Sequence, residues 1–433
     1  MSQKRIYQVD EKVPSALFLP LSLQHTFAMF GASVLVPIIF GIDPGIVLLM
    51  NGIGTLLFIL ITKGKAPAYL GSSFAFLGPA GIIIKEMGGF EYAQGGFIVV
   101  GILGCLLAYI IYKFGVGWID IVLPPAAMGS VVALIGFELT GLTVAGGATG
   151  ANIMVENATA QDFIVFIVTL GVAVIGSVAF RGFFSTVPIL IAIVAGYTLS
   201  VFFNMVDFTP VMTAKLFSIP HFQSPKFDLN AIIIMLPVLL VITSEHISHQ
   251  VVTSNIIGRD LLKDPGLHRS ILADDLSTAL SGFIGGVPTT TYGENIGVMA
   301  VTGVYSVYVI AGAAVLSIIM AFIGPLAALI RTIPGNVIGG VTFLLYGMIG
   351  ASGIRLLVDK RINYSKAKNL ILTSVVFTTG LSGVAVKLGQ VQFRGMVLAS
   401  VVAIVVSLLF YLMEKAGLMV DTQDDVIKSE DHL

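Results

Sequence analysis

Long apolar runs, repeated along a chain of 433 residues, decide what this sequence can fold into. Stretches of about 17 to 25 mostly apolar residues are long enough to cross a bilayer as helices. The sequence has such runs near 15–40, 44–62, 67–85, 95–113, 116–139, 162–180 and 186–204, and after a polar connection at 206–230 near 231–254, 271–287, 288–302, 304–331, 335–356, 368–386 and 396–414. Lipid offers no water to backbone groups, so runs of this kind close their hydrogen bonds inside helices. Composition agrees, with 56% hydrophobic and 11% charged residues and a mean hydropathy of +0.98, where a soluble domain carries about 25% charged. The expected fold class is an all-α polytopic membrane protein of fourteen segments. No basic patch points to nucleic acid, and a single cysteine, Cys105, leaves no internal disulfide. The first run outlasts the roughly 7 to 15 apolar residues of a signal-peptide core and is read as a retained span.

Charge sets the orientation. With both termini in the cytoplasm, the segments facing inward carry 17 of the 23 Lys and Arg residues, and cytoplasmic loops are enriched in these residues. The expected location is therefore the cytoplasmic (inner) cell membrane, crossed many times.

The two halves of the chain overlay. LPPAAMGSVVALIGFEL from Leu123 matches IPGNVIGGVTFLLYGMI from Ile333, SLQH ending at His25 matches TSEH ending at His246, and GSSFAF from Gly71 matches TTTYGE from Thr289. The offsets of 210, 221 and 218 residues stay nearly constant and in order. Seven segments per half put the second copy upside down, the inverted-repeat plan of many secondary transporters, whose site lies where interrupted elements meet. The expected organisation is a tail at 1–14, a first repeat at 15–205, the connection at 206–230, a second repeat at 231–414 and a tail at 415–433.

The stretch from Val287 to Gly303, VPTTTYGENIGVMAVTG, carries the chemistry. An ionisable residue at membrane depth costs about 2.5 to 3.5 kcal/mol on insertion scales and usually faces a cavity or partner. That makes Glu294 the first functional candidate. The β-branched Thr289-Thr290-Thr291 favours an extended segment, and Gly293 gives the backbone freedom to turn into a helix near Glu294. Segments 3 and 10 are thus expected as short extended pieces followed by half-helices, whose bare amides face a pocket. In the run 231–254, Glu245 and His249 stand four residues apart on one helix face. Two close carboxylates in a low-dielectric site cannot both be ionised cheaply, so one holds a proton or shares it with His249. Such a cavity suits a neutral planar ring with N–H donors for the acids and C=O acceptors for amides near Phe74 and Gly293, with Phe74 and Tyr292 placed to sandwich it. A nucleobase fits.

Glu294-Asn295-x-Gly297-x4-Thr302-Gly303 matches the signature [QEP]-N-x-G-x4-T-[RKG], and with SLQH at 22–25, PAYLGSSFAF at 67–76 and the Glu245/His249 pair the chain resembles the nucleobase-ascorbate (nucleobase-cation symporter-2) transporters. The resemblance covers residues 15–414. It implies proton-coupled uracil uptake by alternating access, a core domain of segments 1–4 and 8–11, a gate domain of segments 5–7 and 12–14, and a homodimer, with no cofactor beyond the co-transported proton. Glu245, Glu294, Phe74, Gly293, Tyr292 and Ala32 would then contact substrate, His249 would join the two acids in proton coupling, and His25, Tyr346, Thr342 and Asn295 would support the site. Xanthine or another purine base is the alternative substrate, although Glu294 stands where purine carriers often have Gln.

Other readings compete. Glu245-His246-x-x-His249 with Glu294 could form a membrane-embedded zinc site, but the spacing is neither HExxH nor HxxEH. An anion carrier of the same architecture would not place two facing acids at its site. His246 is read as a packing or hydrogen-bonding residue, and Asp274 and Asp275 as solvated or capping groups near a cytoplasmic end.

Overall fold

A computed structural model describes residues 7–140, 158–388 and 391–419. The side chain of Ala32 and most of the tail expected at 415–433 lie outside the described residues. The first half contains α1 (Ser15–Phe40), α2 (Pro44–Ile61), β1 (Leu70–Ser72), α3 (Leu77–Met87), α4 (Phe90–Phe114), α5 (Ile119–Val122), α6 (Pro125–Thr140), α7 (Ala160–Ala179) and α8 (Pro188–Phe202). A short α9 (Thr209–Met212) sits in the connection. The second half contains α10 (Leu229–Met235), α11 (Val238–Ile257), α12 (Leu267–Ile284), β2 (Thr289–Thr291), α13 (Gly293–Thr302), α14 (Val307–Ala321), α15 (Gly324–Arg331), α16 (Gly335–Asp359), α17 (Ala367–Leu381), β3 (Ala385–Leu388), β4 (Val391–Arg394) and α18 (Gly395–Lys415). Among the described residues, seven helical stretches are long and apolar enough to cross a membrane, and α6, α8, α14 and α17 are shorter apolar helices.

Local chemistry places the ends. Asp43 caps α2, accepting from the Gly45 amide at 2.9 Å, with Pro44 at the first helical position, where proline's missing N–H costs nothing. Thr159 and Asp162 form a reciprocal capping box at the start of α7. Three boundaries differ from the sequence expectation. The run 304–331 divides into α14 and α15, because Gly324-Pro325 opens a new helix after Phe322. The run 368–386 stops at Leu381, where Gly383 turns left-handed at φ 75° and the chain enters the β3–β4 hairpin. The run 116–139 divides at Leu123-Pro124 into α5 and α6.

Helices pack where small residues let backbones touch. Gly101 and Gly104 of α4 lie on Ala279 and Asp275 of α12, and Gly136 of α6 lies on the backbone of Tyr346 and Gly350 of α16. Helices α2, α4, α12 and α14 form one packed group, and α6, α7, α8, α16, α17 and α18 form another. The connection at 206–230 is tied to the first group: Lys226 pairs with Glu91 at 2.9 Å, and Asp43 accepts from the His221 amide at 2.8 Å while meeting Arg331 at 3.1 Å. At the opposite end of α13, Tyr7 donates its amide to Gly303 at 3.0 Å and accepts from Tyr305 at 2.8 Å, and Arg259 holds Asp10 at 2.6 Å.

The α6–α16 contact leaves no room for a larger side chain at residue 136. Gly136→Leu should lower the stability of the detergent-solubilised protein by about 1 to 3 kcal/mol, as overpacking does. Gly171→Leu, whose side chain would enter open space, should leave it within about 1 kcal/mol. Thermal unfolding of the two variants compares them, and equal melting temperatures would refute this packing.

Candidate functional site

The two broken elements meet as strands. Pairing is antiparallel, Leu70 with Thr291, Gly71 with Thr290 and Ser72 with Thr289, and it is extended by the Tyr292 amide on the Tyr69 carbonyl at 3.0 Å and the Ser73 amide on the Pro288 carbonyl at 2.8 Å. Threonine hydroxyls of flanking helices satisfy the outer edges of this two-stranded ribbon. Thr55 of α2 accepts from the Leu70 amide at 2.9 Å. Thr278 of α12 accepts from the Thr289 amide at 3.1 Å and donates to the Thr289 carbonyl at 2.8 Å. Part of the backbone that leaves the helices is thus taken up by side chains beyond the strand pairing itself. Each strand leads into a helical start: a tight turn at Phe74–Phe76 precedes α3, and α13 begins at Gly293 with Glu294 in its first turn.

Expected site residues converge at these starts. Asp274 and Glu294 are the electrostatic neighbours of Glu245, and Glu294 and Glu245 both act on Tyr292. His249, one turn beyond Glu245 on α11, meets the Thr291 hydroxyl through Nδ1 at 3.1 Å. Its Nε2 lies 3.6 Å from where a side chain on Gly293 would begin. Gly293 has no positive φ, so the conformational freedom expected of it is not what the position uses. Its lack of a side chain instead keeps the first amides of α13 open next to the imidazole.

Gly293, Glu294, Gly297 and Ala300 of α13 are exposed, and Glu245, Ser248 and His249 of α11 are half-buried. A face of small and polar residues at helical spacing is not a lipid-facing one, and a side chain on Gly297 would meet only open space. Glu294 is therefore reachable from the surface of the protein, and Glu245 partly so.

Asn295 joins α13 to α1. Its Nδ2 reaches both Nδ1 and the carbonyl oxygen of His25, each at 3.1 Å. Tyr292 and Tyr346 are buried with hydroxyls that meet no protein partner, and Phe74 is half-buried among three apolar clusters. Thr342 is fully buried and spends its hydroxyl on carbonyls of its own helix, Ile338 at 2.9 Å and Gly339 at 3.1 Å.

Asp274 and Asp275 correct the sequence reading. Neither is solvated or a cap: each is 4% exposed, deep in α12. Asp274 accepts from Thr290 at 3.2 Å and bonds His246 at 3.1 Å. The signal was present as Ser270, Asp274, Ser277, Thr278 and Ser281, a polar stripe at helical spacing that the structure buries. Glu245, His246, His249 and Glu294 do not make a zinc site. Among the described residues, no three His, Cys, Asp or Glu side chains are grouped to hold a metal.

The sequence profile described as "Permease family" matches residues 17–389. The chain belongs to the nucleobase-ascorbate transporter family. Relatives of this transporter match it nearly end to end. The uracil permease of Escherichia coli K12 is 53% identical over 411 residues, 94% of this chain and 95% of the relative. That of Paenibacillus larvae is 51% identical over 413 residues, 95% and 98% of the two chains, and that of Bacillus subtilis is 43% identical over 426 residues, 94% and 96%. Solved structures share the fold at low identity. The transmembrane domain of a cyanobacterial bicarbonate transporter, BicA, matches with a TM-score of 0.62 at 15% identity, covering 92% of this chain and all of that one. The murine anion transporter Slc26a9 in its inward-facing state matches with a TM-score of 0.71 at 10% identity, covering 93% of this chain and 70% of that one. Membership makes the protein a multi-pass membrane transporter and sets the zinc-enzyme reading aside.

The Asn295–His25 pair gives a direct test of how α13 is held. Asn295→Leu should cost about 1 to 3 kcal/mol of stability by leaving the buried His25 groups unmatched. An unchanged melting temperature in detergent would show that these bonds do not anchor the half-helix.

Proposed function

We propose that this transporter takes up uracil together with a proton by alternating access, and that Glu245 and Glu294 hold the ring. The observation that carries the reading is the placement of Glu245 within electrostatic reach of Glu294, with the His249 imidazole beside the bare start of α13, in a chain whose relatives are uracil permeases. The acids accept from the two ring N–H groups, while the amides of Phe74 and Gly293 donate to the ring carbonyls, a neutral pattern that uracil satisfies without adding charge to the membrane interior. An anion carrier would place positive charge or bare helix starts at its site; a bare start is present, but the two acids oppose that reading. The proton is carried among Glu245, Glu294 and His249. One charge moved through about 100 mV is worth about 2.3 kcal/mol, which supports roughly 50-fold accumulation.

The same reading takes segments 1–4 and 8–11 as a core that carries the site and segments 5–7 and 12–14 as a gate. The two packed groups of helices support this division. It also takes the halves as inverted copies. Strand register supports that: shifted by the repeat offset of 218, the pair Gly71–Thr290 becomes Thr289–Ser72, itself a pair. Likewise Leu70–Thr291 becomes Pro288–Ser73, which the Ser73 amide joins. A homodimer in the cytoplasmic membrane with both termini inside completes the proposal.

Glu245→Ala and Glu294→Ala should each weaken uracil binding by at least about tenfold to a hundredfold, the worth of a charge-assisted bond or two, while the protein still inserts. Isothermal titration with uracil, thymine, xanthine, hypoxanthine, urate and ascorbate reads the loss and the ligand class together; wild-type affinity in either variant sinks the site. His249→Ala should impair gradient-driven uptake in proteoliposomes more than exchange of labelled for unlabelled uracil, and equal losses would remove His249 from coupling.

A further inference from the structure

Behind the two acids lies a buried junction that the proposed transport cycle does not use. Asp274 sits in the middle of α12, and one of its oxygens, Oδ2, makes two bonds. It meets His246 Nδ1 at 3.1 Å and accepts from the Thr290 hydroxyl at 3.2 Å. His246 is the residue next to Glu245 on α11, and Thr290 lies in β2, four residues before Glu294. The side chains of His246 and Asp274 are 2% and 5% exposed. Their remaining polar atoms, His246 Nε2 and Asp274 Oδ1, meet no protein partner. The gap they line, with Ile242, Thr243, Ile271 and Asp275, is too small to admit a water molecule.

A buried acid that binds elements on either side at one atom acts as a pin. Side-chain networks of this kind are worth more inside a protein than at its surface and specify one arrangement. Here the two elements are those that carry Glu245 and Glu294. A second bridge, His249 to Thr291, runs parallel to the first. Residues 290 and 291 alternate across the strand, so the two bridges hold both faces of β2 against α11. The ring of His246 also packs against Phe58 of α2, with centroids 6.3 Å apart, which limits how far the imidazole can follow a displaced partner.

We infer that Asp274 is the positioning residue of the site: through His246 and Thr290 it fixes the separation of Glu245 and Glu294, and thereby the width of ring the acids accept. The inference rests on the two acids being the nucleobase site. A pin made of hydrogen bonds needs an acceptor at this position and not a particular charge, because the same oxygen receives both bonds. An amide oxygen in its place keeps the arrangement, whereas loss of either arm lets α11 and β2 drift and relaxes the choice between a one-ring and a two-ring base.

Three variants test this in purified full-length protein, by titration with uracil and with xanthine and by thermal unfolding of the same samples. Thr290→Val keeps a β-branched residue in the strand but removes one arm, and His246→Phe keeps a ring against Phe58 but removes the other. Each should weaken uracil about tenfold, the worth of one buried hydrogen bond, and should weaken xanthine less, so that the uracil preference falls. Asp274→Asn should stay within about threefold of wild type for both ligands. A residue with a purely structural role would lower the melting temperature and leave the affinity ratio of the folded protein untouched, and that result overturns the inference. So does an Asp274→Asn loss as deep as that of the other two variants, which would make the charge and not the geometry decisive. Wild-type protein that binds no nucleobase would instead refute the function proposed above.

Discussion

Six strand residues, three from each half of the chain, have to find their hydrogen bonds without water, and the structure around the site follows from how they do it. In lipid an unsatisfied backbone group costs several kcal/mol, so a chain that leaves the helix at membrane depth must be paired by protein. Leu70–Ser72 and Thr289–Thr291 pair with each other, and Thr55 and Thr278 bond the outward groups of Leu70 and Thr289. The reward of that arrangement is two helical starts that need not be covered. The first amides of α13 and the turn at Phe74 remain available, next to an acid on α11 and an acid on α13. These are groups that an unbroken helix would have consumed internally.

Much of this was legible in the residues. The apolar runs located α1 and α2 almost to the residue, the threonine run announced β2, and Gly293-Glu294 marked the start of α13. What the sequence hid is equally physical. Asp274 looked like a boundary residue because a charged pair near the start of an apolar run usually is one. Only the partners, His246 from α11 and Thr290 from β2, reveal that it is enclosed. The division of α14 from α15 and the β3–β4 hairpin were missed because hydropathy measures how apolar a segment is and not where its backbone turns. Gly293 was expected to supply an unusual backbone angle, and what it supplies is the absence of a side chain beside His249.

The likeness to BicA and Slc26a9 at 15% and 10% identity says that the helical framework tolerates nearly complete replacement of its side chains. Fold alone therefore specifies no cargo, and the argument for one has to come from the site. In this chain the proposed site carries two carboxylates, with Asp274 and Asp275 buried behind them.

The strand-like pairing of Tyr7 with Gly303 and Tyr305 reaches beyond the ends of the chain it joins. It makes Tyr7 and its neighbours part of the floor on which α13 stands, with Glu294 nine residues away from Gly303 along the half-helix. A fusion partner or tag placed directly before residue 7 would pull on that floor, so expression designs need a slack linker upstream. Labels attached to this segment would, by the same lever, report movements of the acid-bearing half-helix from outside the membrane.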